Sequence, residues 1–252
     1  MDLASLVAPA LPMTLAALAR DSLGGDGVTM EPAMRLALDA SFGSFEAWRA
    51  DFGTLAGAAD GAAGGAAGGA AGWALLVFEP QVGRLVNRHI ADAAAAGDAD
   101  AGAPVMALDL RGPASAAAPS VEAGLDAIDW AGVYRRYQHA VHAASAPHAA
   151  GPDAVPGALL IDVRRAGVYA QAATRIPGAQ WRDPAAVAAW AAELPVDREV
   201  LVYCVYGHEV GRSTALRLRA AGVNARFLEG GIDGWQSAGR PVAAKAEPKE
   251  QA

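Results

Sequence analysis

The chain has 252 residues, 53% of them hydrophobic, and a formal net charge of −7. Its length allows one large domain or two ordinary ones, and the hydrophobic fraction supports a sizeable core. The acidic balance argues against a nucleic-acid partner, because no basic patch is available to follow a phosphate backbone. The single cysteine excludes an intrachain disulfide and is typical of a reducing compartment.

The amino-terminal stretch is apolar, but it does not have the pattern of a targeting segment. Residues 1–18 contain no basic side chain, and Pro9 and Pro12 interrupt them. Such a stretch is a poor secretory signal and is too short to span a bilayer. We therefore expect a cytoplasmic protein with no membrane partner.

The first half of the chain predicts helices, then short strands, then helices. A Gly- and Ala-rich segment, residues 56–72, follows the first helices and is expected to be a flexible loop. This order is typical of an α+β unit rather than an alternating one. The predicted elements are helices at 14–20, 31–40 and 48–52, strands at 73–78, 83–90 and 105–110, and helices at 121–128 and 130–141.

A change of pattern marks the boundary between two domains. Residues 144–156 are rich in Ala, Pro and Gly and show no hydrophobic periodicity, so we expect them to be a linker. The first domain then covers residues 1–143 and the second covers 157–243. The charged tail, residues 244–252, is expected to be disordered.

The second domain alternates strands and helices, which predicts an α/β fold with a parallel sheet and helices on both faces. A ligand site is expected beyond the carboxyl ends of the strands. Asp162 and Cys204 each lie at such an end. The predicted strands are 159–162, 200–204 and 225–228, and the predicted helices are 184–194, 209–221 and a last one from Gly230-Gly231 through Trp235.

Cys204 follows a buried strand and precedes a helix across a short Gly-containing loop. This arrangement points several backbone N–H groups at one position, and the helix N-terminus adds partial positive charge there. We expect a thiol in this field to have a lowered pKa and to act as a nucleophile. The alternative is a small buried residue without a chemical role. The expected anion-binding residues around it are Val205, Tyr206, Gly207, His208, Glu209 and Val210.

Four motifs of the second domain resemble those of the rhodanese family. They are Leu-Ile-Asp-Val-Arg at 160–164, Ile-Pro-Gly-Ala at 176–179, Tyr-Cys-x-x-Gly at 203–207 and the segment 228–235, which ends Gly-Gly-x-x-x-Trp. The resemblance covers roughly residues 157–241 and implies sulfur transfer. The cysteine would attack a small sulfur donor, carry a persulfide and pass the sulfur to a thiol or another nucleophilic acceptor. This chemistry implies no cofactor.

The loop differs from the commonest rhodanese pattern in its charge. Family members often carry Arg five residues after the cysteine, where this chain has Glu209. Glu209 either weakens the binding of thiosulfate-like anions or turns outward in the first helical turn, and we favour the outward orientation. The phosphatase-like Cys-x5-Arg is absent, because residue 210 is Val. Arg164 and Arg182, together with Asp162, are the other candidate anion-site residues. The alternative is that both arginines are solvated surface residues.

The first domain resembles the carboxyl-terminal part of iron/manganese superoxide dismutases. Phe-Gly-Ser-Phe at 42–45, Gly-Trp-Ala-Leu-Leu-Val at 72–77 and the predicted helix at 128–137 are similar to family motifs. The family binds its metal through three His and one Asp. Here Asp109 is retained, Pro113 stands where a His is expected, and both His of the family's amino-terminal hairpin are missing. We infer a domain that keeps the fold, has lost the metal, and serves docking or formation of a homodimer.

His139 and His142 lie three residues apart on the last predicted helix of the first domain. This spacing could bind a divalent cation weakly. We favour the alternative, in which both are surface histidines whose positive charge stabilises the helix dipole.

The whole sequence predicts a rhodanese-type sulfurtransferase joined to a dismutase-like domain. This combination resembles components of bacterial chromate-resistance clusters, which implies a link to oxidant or metal-oxyanion stress. Two alternatives stay open. One is a non-catalytic module that binds oxyanions or senses redox state through Cys204, and the other is a superoxide dismutase with rearranged metal ligands.

Overall fold

The computed structural model describes residues 14–61, 72–91, 102–110 and 121–245. The chain divides into two compact units. The first unit is drawn from Met1–Met30, Arg49–Val77 and Asn87–Tyr134, and the second from Glu31–Trp48, Phe78–Val86 and Arg135–Ala252.

The first half of the chain forms the helices and strands that its pattern predicted, with ends shifted by a few residues except in the third helix, which has 17 residues where only 48–52 was predicted. Its three strands form one sheet in the order β2-β1-β3. Helix α3 extends through residue 61, so the start of the Gly- and Ala-rich segment is helical, whereas residues 62–71 lie outside the described part of the chain. The elements are α1 (Leu15–Asp21), α2 (Pro32–Phe42), α3 (Phe45–Gly61), β1 (Trp73–Glu79), β2 (Arg84–Ile90), β3 (Ala103–Asp109), α4 (Val121–Asp126) and α5 (Trp130–Ser145).

Three polar contacts, two of them buried, support the apolar core of the first unit. Thr14 caps α1 by accepting a hydrogen bond from Ala17 N at 3.2 Å. At the other end of α1, the buried Ser22 hydroxyl accepts a hydrogen bond from Ala107 N of β3 at 3.2 Å. The Trp130 indole donates to Gly27 O at 2.8 Å. The last two contacts each satisfy a group that would otherwise be buried without a partner.

The second unit contains a five-stranded parallel sheet in the order β4-β9-β8-β5-β7. A further pair of short strands, β6 and β10, is antiparallel. The strands are β4 (Ala149–Ala150), β5 (Leu159–Asp162), β6 (Thr174–Arg175), β7 (Gln180–Trp181), β8 (Val200–Tyr203), β9 (Ala225–Leu228) and β10 (Ala243–Ala244). The helices are α6 (Ala166–Gln171), α7 (Val187–Trp190), α8 (Glu209–Ala220) and α9 (Gly231–Ser237).

Successive side chains of β8 enter two different cores, because neighbours on a strand point to opposite faces. Val200 and Val202 pack in the core that contains residues of α7 and α8. Leu201 and Tyr203 pack in the core that contains Ile232 of α9. The predicted parallel sheet with helices on both faces is therefore confirmed.

Three boundaries differ from the prediction. The expected linker, 144–156, contains β4, whose two residues are too few to show an alternating pattern. The expected tail begins inside β10 at Ala244, and residues 246–252 lie outside the described chain. The expected helix at 184–194 consists of short 3₁₀ turns on either side of the four-residue α7.

Within the described residues, no helix is both long enough and apolar enough to cross a membrane.

Candidate active site

Cys204 lies directly after β8, at the carboxyl end of the strand in the middle of the sheet, and is 6% exposed. The backbone N–H groups of Gly207, His208 and Gly211 form hydrogen bonds to its sulfur. The sulfur also lies 3.9 Å from the carbonyl oxygen of His208. This arrangement can stabilise negative charge on the sulfur or on an atom bound to it.

The start of α9 holds the loop that follows Cys204. Ile232 N donates to Cys204 O at 3.1 Å, and Asp233 N donates to Val205 O at 2.9 Å. Gly231 makes this approach possible, because a Cβ atom there would lie 2.4 Å from Val205 O. The carbonyl groups of Cys204 and Val205 are thus directed at α9, while the N–H groups of Gly207, His208 and Gly211 remain available to the sulfur.

The expected lowering of the Cys204 pKa is wrong. Burial raises the pKa of the thiol above its ordinary value, and the carboxylate of Glu209 acts in the same direction. The N–H groups of Gly211, Gly207 and His208 lower it but do not compensate. The sequence pattern located the donors, but it did not reveal how thoroughly water is excluded from the sulfur.

Glu209 is the first residue of α8, as predicted, but its side chain does not turn outward. The residue is 5% exposed, and its Oε2 accepts a hydrogen bond from Gln138 Nε2 at 3.1 Å. Gln138 belongs to α5, a helix that the sequence patterns assigned to the other domain. The favoured outward orientation is therefore wrong, because a segment distant in sequence covers this face of α8.

Asp162 and Arg164 form a buried ion pair at the end of β5. Arg164 Nη2 lies 2.6 Å from Asp162 Oδ2, and the same nitrogen donates to Thr174 O at 2.9 Å. The Tyr203 hydroxyl donates to the same Asp162 oxygen at 2.9 Å. Arg164 is only 4% exposed, so it is not a solvated surface residue, and it does not present its charge to a ligand from solvent. The pair ties the ends of β5 and β8 together.

Arg182, the second candidate cation, follows β7 and forms an ion pair with Glu193 at 2.9 Å. Both side chains are partly exposed. Such a pair contributes little to stability, and it gives Arg182 a carboxylate partner of its own. Arg164 and Arg182 are therefore each paired with a carboxylate that lies outside the loop between β8 and α8 (residues 204–208, the Cys204 loop).

Arg212 is a residue that the sequence reasoning missed. Its Nε donates a hydrogen bond to Gly207 O at 2.8 Å, within the Cys204 loop. The sequence patterns pointed to Arg164 and Arg182 as cations, and on α8 they concerned only the positions five and six residues after the cysteine. Helical periodicity could have identified Arg212, because it lies one helical turn after His208 and so on the same side of the helix as the loop. The backbone N–H of Arg212 donates to His208 O.

The remaining predicted loop residues form the outer surface of the site. Tyr206 is 57% exposed, His208 is also exposed, and their ring centroids are 5.7 Å apart. Val205 and Val210 are half-buried. Tyr206 and His208 are therefore the side chains that a molecule approaching the loop meets first.

His142 of α5 lies near the same surface, with its ring centroid 6.1 Å from that of His208. Burial lowers the pKa of His142 to about 4, and the positive charge of Arg212 acts in the same direction. His142 is therefore neutral at neutral pH. The favoured interpretation, a surface histidine that stabilises the helix dipole when charged, is wrong for His142, because α5 packs this side chain toward the loop.

Residues 145–238 match the model of the rhodanese-like domain family. The carboxyl-terminal half of the chain therefore carries a rhodanese-like domain, as the motifs predicted. The match begins ahead of residue 157, where the resemblance was expected to start, and so includes the edge strand β4.

An amino-terminal region is similar to the superoxide dismutase [Fe] of Cupriavidus metallidurans, with 36% identity over 129 residues. This alignment covers 48% of the present chain and 59% of that relative, so the chain spans about three fifths of its length. The predicted similarity to superoxide dismutases is confirmed for this region.

Two solved structures are similar to part of the chain. A full-length protein from Lactobacillus plantarum has 22% identity and a TM-score of 0.37, covering 44% of this chain and 99% of that chain. A rhodanese-related protein from Thermoplasma volcanium has 25% identity and a TM-score of 0.31, covering 36% of this chain and 88% of that chain.

The similarity to an iron enzyme raises the question of a metal site in the first unit. Asp109, the retained ligand position, is the exposed last residue of β3, and Pro113 lies outside the described residues. Within the described part of the chain, no three His, Cys, Asp or Glu side chains are grouped so that they could hold an ion. These residues do not fit a redox iron, which needs several nitrogen and oxygen ligands.

Proposed function

We propose that the protein is a sulfurtransferase that carries sulfane sulfur as a persulfide on Cys204. The observation that supports this most directly is the set of backbone N–H groups of Gly207, His208 and Gly211 that converge on the Cys204 sulfur. A rhodanese-like domain surrounds this cysteine, which is the only one in the chain. Together they provide a nucleophile and a cradle for the negative charge that develops on sulfur.

The proposed transfer has two displacement steps. The Cys204 thiolate attacks the outer sulfur of a donor such as thiosulfate; the new S–S bond forms as the donor's S–S bond breaks, and sulfite leaves with the bonding electron pair. An acceptor thiolate then attacks the outer sulfur of the persulfide, and the Cys204 thiolate leaves. The N–H donors stabilise the anionic sulfur at both stages. The thiol must first lose its proton, which the raised pKa makes harder at neutral pH.

The same raised pKa favours a second candidate function. A thiol that burial and Glu209 keep protonated is a weaker nucleophile at neutral pH, and the carboxylate opposes a doubly charged donor. A non-catalytic module that binds an oxyanion or senses oxidation through Cys204 is consistent with these features. The two candidates differ in whether a sulfur atom becomes covalently attached.

Intact-mass spectrometry of the full chain after incubation with thiosulfate, and separately with glutathione persulfide, distinguishes them. We expect a mass gain of one sulfur, at a rate that rises about tenfold per pH unit through neutrality because only the thiolate reacts. The gain should disappear on treatment with excess thiol and should be absent in Cys204→Ser. Binding of chromate or arsenate without any sulfur adduct would support the second candidate instead.

Several broader features belong to the same proposal. A persulfide carrier needs its thiol reduced, which fits the cytoplasm. The similarity to a superoxide dismutase supports a link to oxidant or metal-oxyanion stress, with the amino-terminal region serving docking or dimerisation. Metal analysis of the purified protein tests the remaining alternative, a dismutase with rearranged ligands: stoichiometric iron or manganese would contradict the proposed loss of metal.

A further inference from the structure

Arg212 is held by three different parts of the second unit. Its Nε donates to Gly207 O in the Cys204 loop at 2.8 Å, and its Nη1 donates to Ser145 Oγ at the end of α5 at 3.2 Å. Its guanidinium carbon lies 4.2 Å from the ring centroid of Phe227 in β9. Ser145 and Phe227 are both fully buried. These contacts define one position of the guanidinium, whose planar fork matches two acceptors at once.

This position determines how the Gly207–His208 peptide is turned. In a trans peptide the carbonyl of one residue and the N–H of the next point in opposite directions. Because Arg212 holds the Gly207 carbonyl, the His208 N–H points to the other side of the chain, where it bonds to the Cys204 sulfur. Without the guanidinium, this peptide could rotate and present its carbonyl to the sulfur.

Two charged groups that interact with Cys204 lie on one helix. Glu209 and Arg212 both belong to α8 and both interact electrostatically with Cys204, the carboxylate unfavourably and the guanidinium favourably for the thiolate. Glu229, which follows β9, also interacts with Arg212. Arginine stays protonated in proteins, so Arg212 provides a permanent positive charge beside a carboxylate that opposes the anion.

We propose that Arg212 is a positioning residue for the Cys204 loop, which it holds with the His208 N–H directed at the sulfur, and that Ser145 holds Arg212 in place. An effect of Arg212 on turnover depends on the proposed sulfur transfer. The loop orientation itself does not depend on whether sulfur is transferred.

The test measures the Cys204 thiol pKa from the pH dependence of alkylation by iodoacetamide, which reports one site because the full chain has one cysteine. Arg212→Met removes the donors and the charge, and we expect the thiol pKa to rise by about one unit. Arg212→Lys keeps the charge but loses the fork, and we expect at least half of that rise. Ser145→Ala leaves Arg212 in the chain but removes its support, and we expect a smaller rise.

Arg219→Met is the matched control, because Arg219 is an exposed arginine on the same helix. The control should leave the thiol pKa unchanged. In amide NMR spectra, the His208 N–H resonance should move in Arg212→Lys and stay in place in the control. A thiol pKa in Arg212→Lys equal to that of the wild type would overturn the positioning role, because charge alone would then account for the effect.

The alkylation result is independent of the proposed function. If no persulfide forms but the Arg212 variants shift the thiol pKa, the sulfurtransferase proposal fails and the positioning role stands. If the persulfide forms and neither Arg212→Lys nor Ser145→Ala changes the thiol pKa or the His208 resonance, the positioning role fails alone. Ser145→Ala also keeps the test decisive if the Arg212 variants do not fold.

Discussion

At the scale of single residues, burial acts on two titratable groups near the loop in opposite directions. It raises the pKa of the Cys204 thiol and lowers the pKa of His142 to about 4. Both shifts favour the uncharged form, because loss of water penalises whichever form carries the charge. The surroundings of the loop therefore suppress charge except where another group stabilises it, as Arg212 does for the thiolate.

The His142 shift predicts a pH dependence of stability. The ordinary pKa of 6.5 applies to the unfolded chain and about 4 to the folded protein, so between these values the unfolded chain binds a proton that the folded protein does not. The free energy of unfolding should fall as the pH is lowered from 6.5 toward 4. Above pH 6.5 the stabilising effect of the neutral His142 is fully present. In His142→Gln the fall should be smaller by about 1 kcal/mol, a modest figure because the ring is half-exposed.

Urea unfolding followed by tryptophan fluorescence, at about pH 7.5 and about pH 5, measures this difference. His139→Gln is the control, since His139 is an exposed histidine one turn earlier on α5. The control should keep nearly all of the wild-type pH dependence, because His139 contributes less than burial does to the lowered pKa of His142. An equally steep fall in wild type and in His142→Gln would contradict the assignment of the shift to this side chain.

At the scale of elements, the site is made where β8 ends, α8 begins and the start of α9 closes over the loop. The carbonyl groups of Cys204 and Val205 accept hydrogen bonds from the first turn of α9. Gly231 has φ +58° and brings the two backbones closer than a side chain allows. The double glycine that suggested the family resemblance therefore serves the geometry of the loop.

Gly231→Ala should destabilise the protein and disturb the sulfur site together. Its Cβ would lie 2.4 Å from Val205 O and 2.5 Å from Cys204 O, so the loop must move away from α9. We expect a loss of about 3 kcal/mol or more in the free energy of unfolding, from the positive φ and the overlap combined. Alkylation of Cys204 should also show a thiol pKa different from that of the wild type.

Gly239→Ala provides the comparison, because Gly239 has a similar φ of +70° but no atom within 4 Å of its Cβ position. It should cost only about 1–2 kcal/mol and leave the thiol pKa unchanged. Equal losses of stability in the two variants would show that the contact between α9 and the loop is not the cause.

At the scale of the whole molecule, the second unit is assembled from segments far apart in the chain. It combines the rhodanese-like region with residues 31–48, 78–86 and most of α5, from residue 135 onward. Arg217 of α8 donates to Ala40 O of α2 at 2.6 Å. The turn at Gly83 lies against the same part of α8. One face of α8 is thus covered by segments that precede the family match.

Gly83→Ala tests the packing of the turn at Gly83 against α8. A Cβ at Gly83, where φ is +63°, would lie 2.7 Å from Arg217 N and 2.9 Å from Leu216 Cβ. We expect a loss of about 3 kcal/mol in the free energy of unfolding of the second unit. Gly43→Ala, at φ +91° with open space around its Cβ position, should lose only about 1–2 kcal/mol. Similar urea midpoints for both variants would contradict the packing of this turn on α8.

Local sequence patterns were enough to predict the fold class, the order of the elements and the position of Cys204 at the end of a central strand. Buried strands of four residues, such as 200–203, and the glycines around them leave a local pattern that needs no knowledge of distant contacts. Motifs at characteristic spacing then indicated the family. Two-residue strands such as β4 left no such pattern, because pairing with β9 alone defines them.

The charges around the sulfur follow from contacts between segments that are far apart in the chain. Glu209 is buried because Gln138, 71 residues earlier, lies over it, and Arg212 reaches the loop because Ser145 and Phe227 hold its guanidinium. The thiol pKa follows from the exclusion of water by these segments, which opposes the N–H donors that the local pattern predicted. Exclusion of solvent is a property of the assembled chain, so the residues next to Cys204 in sequence could not reveal it.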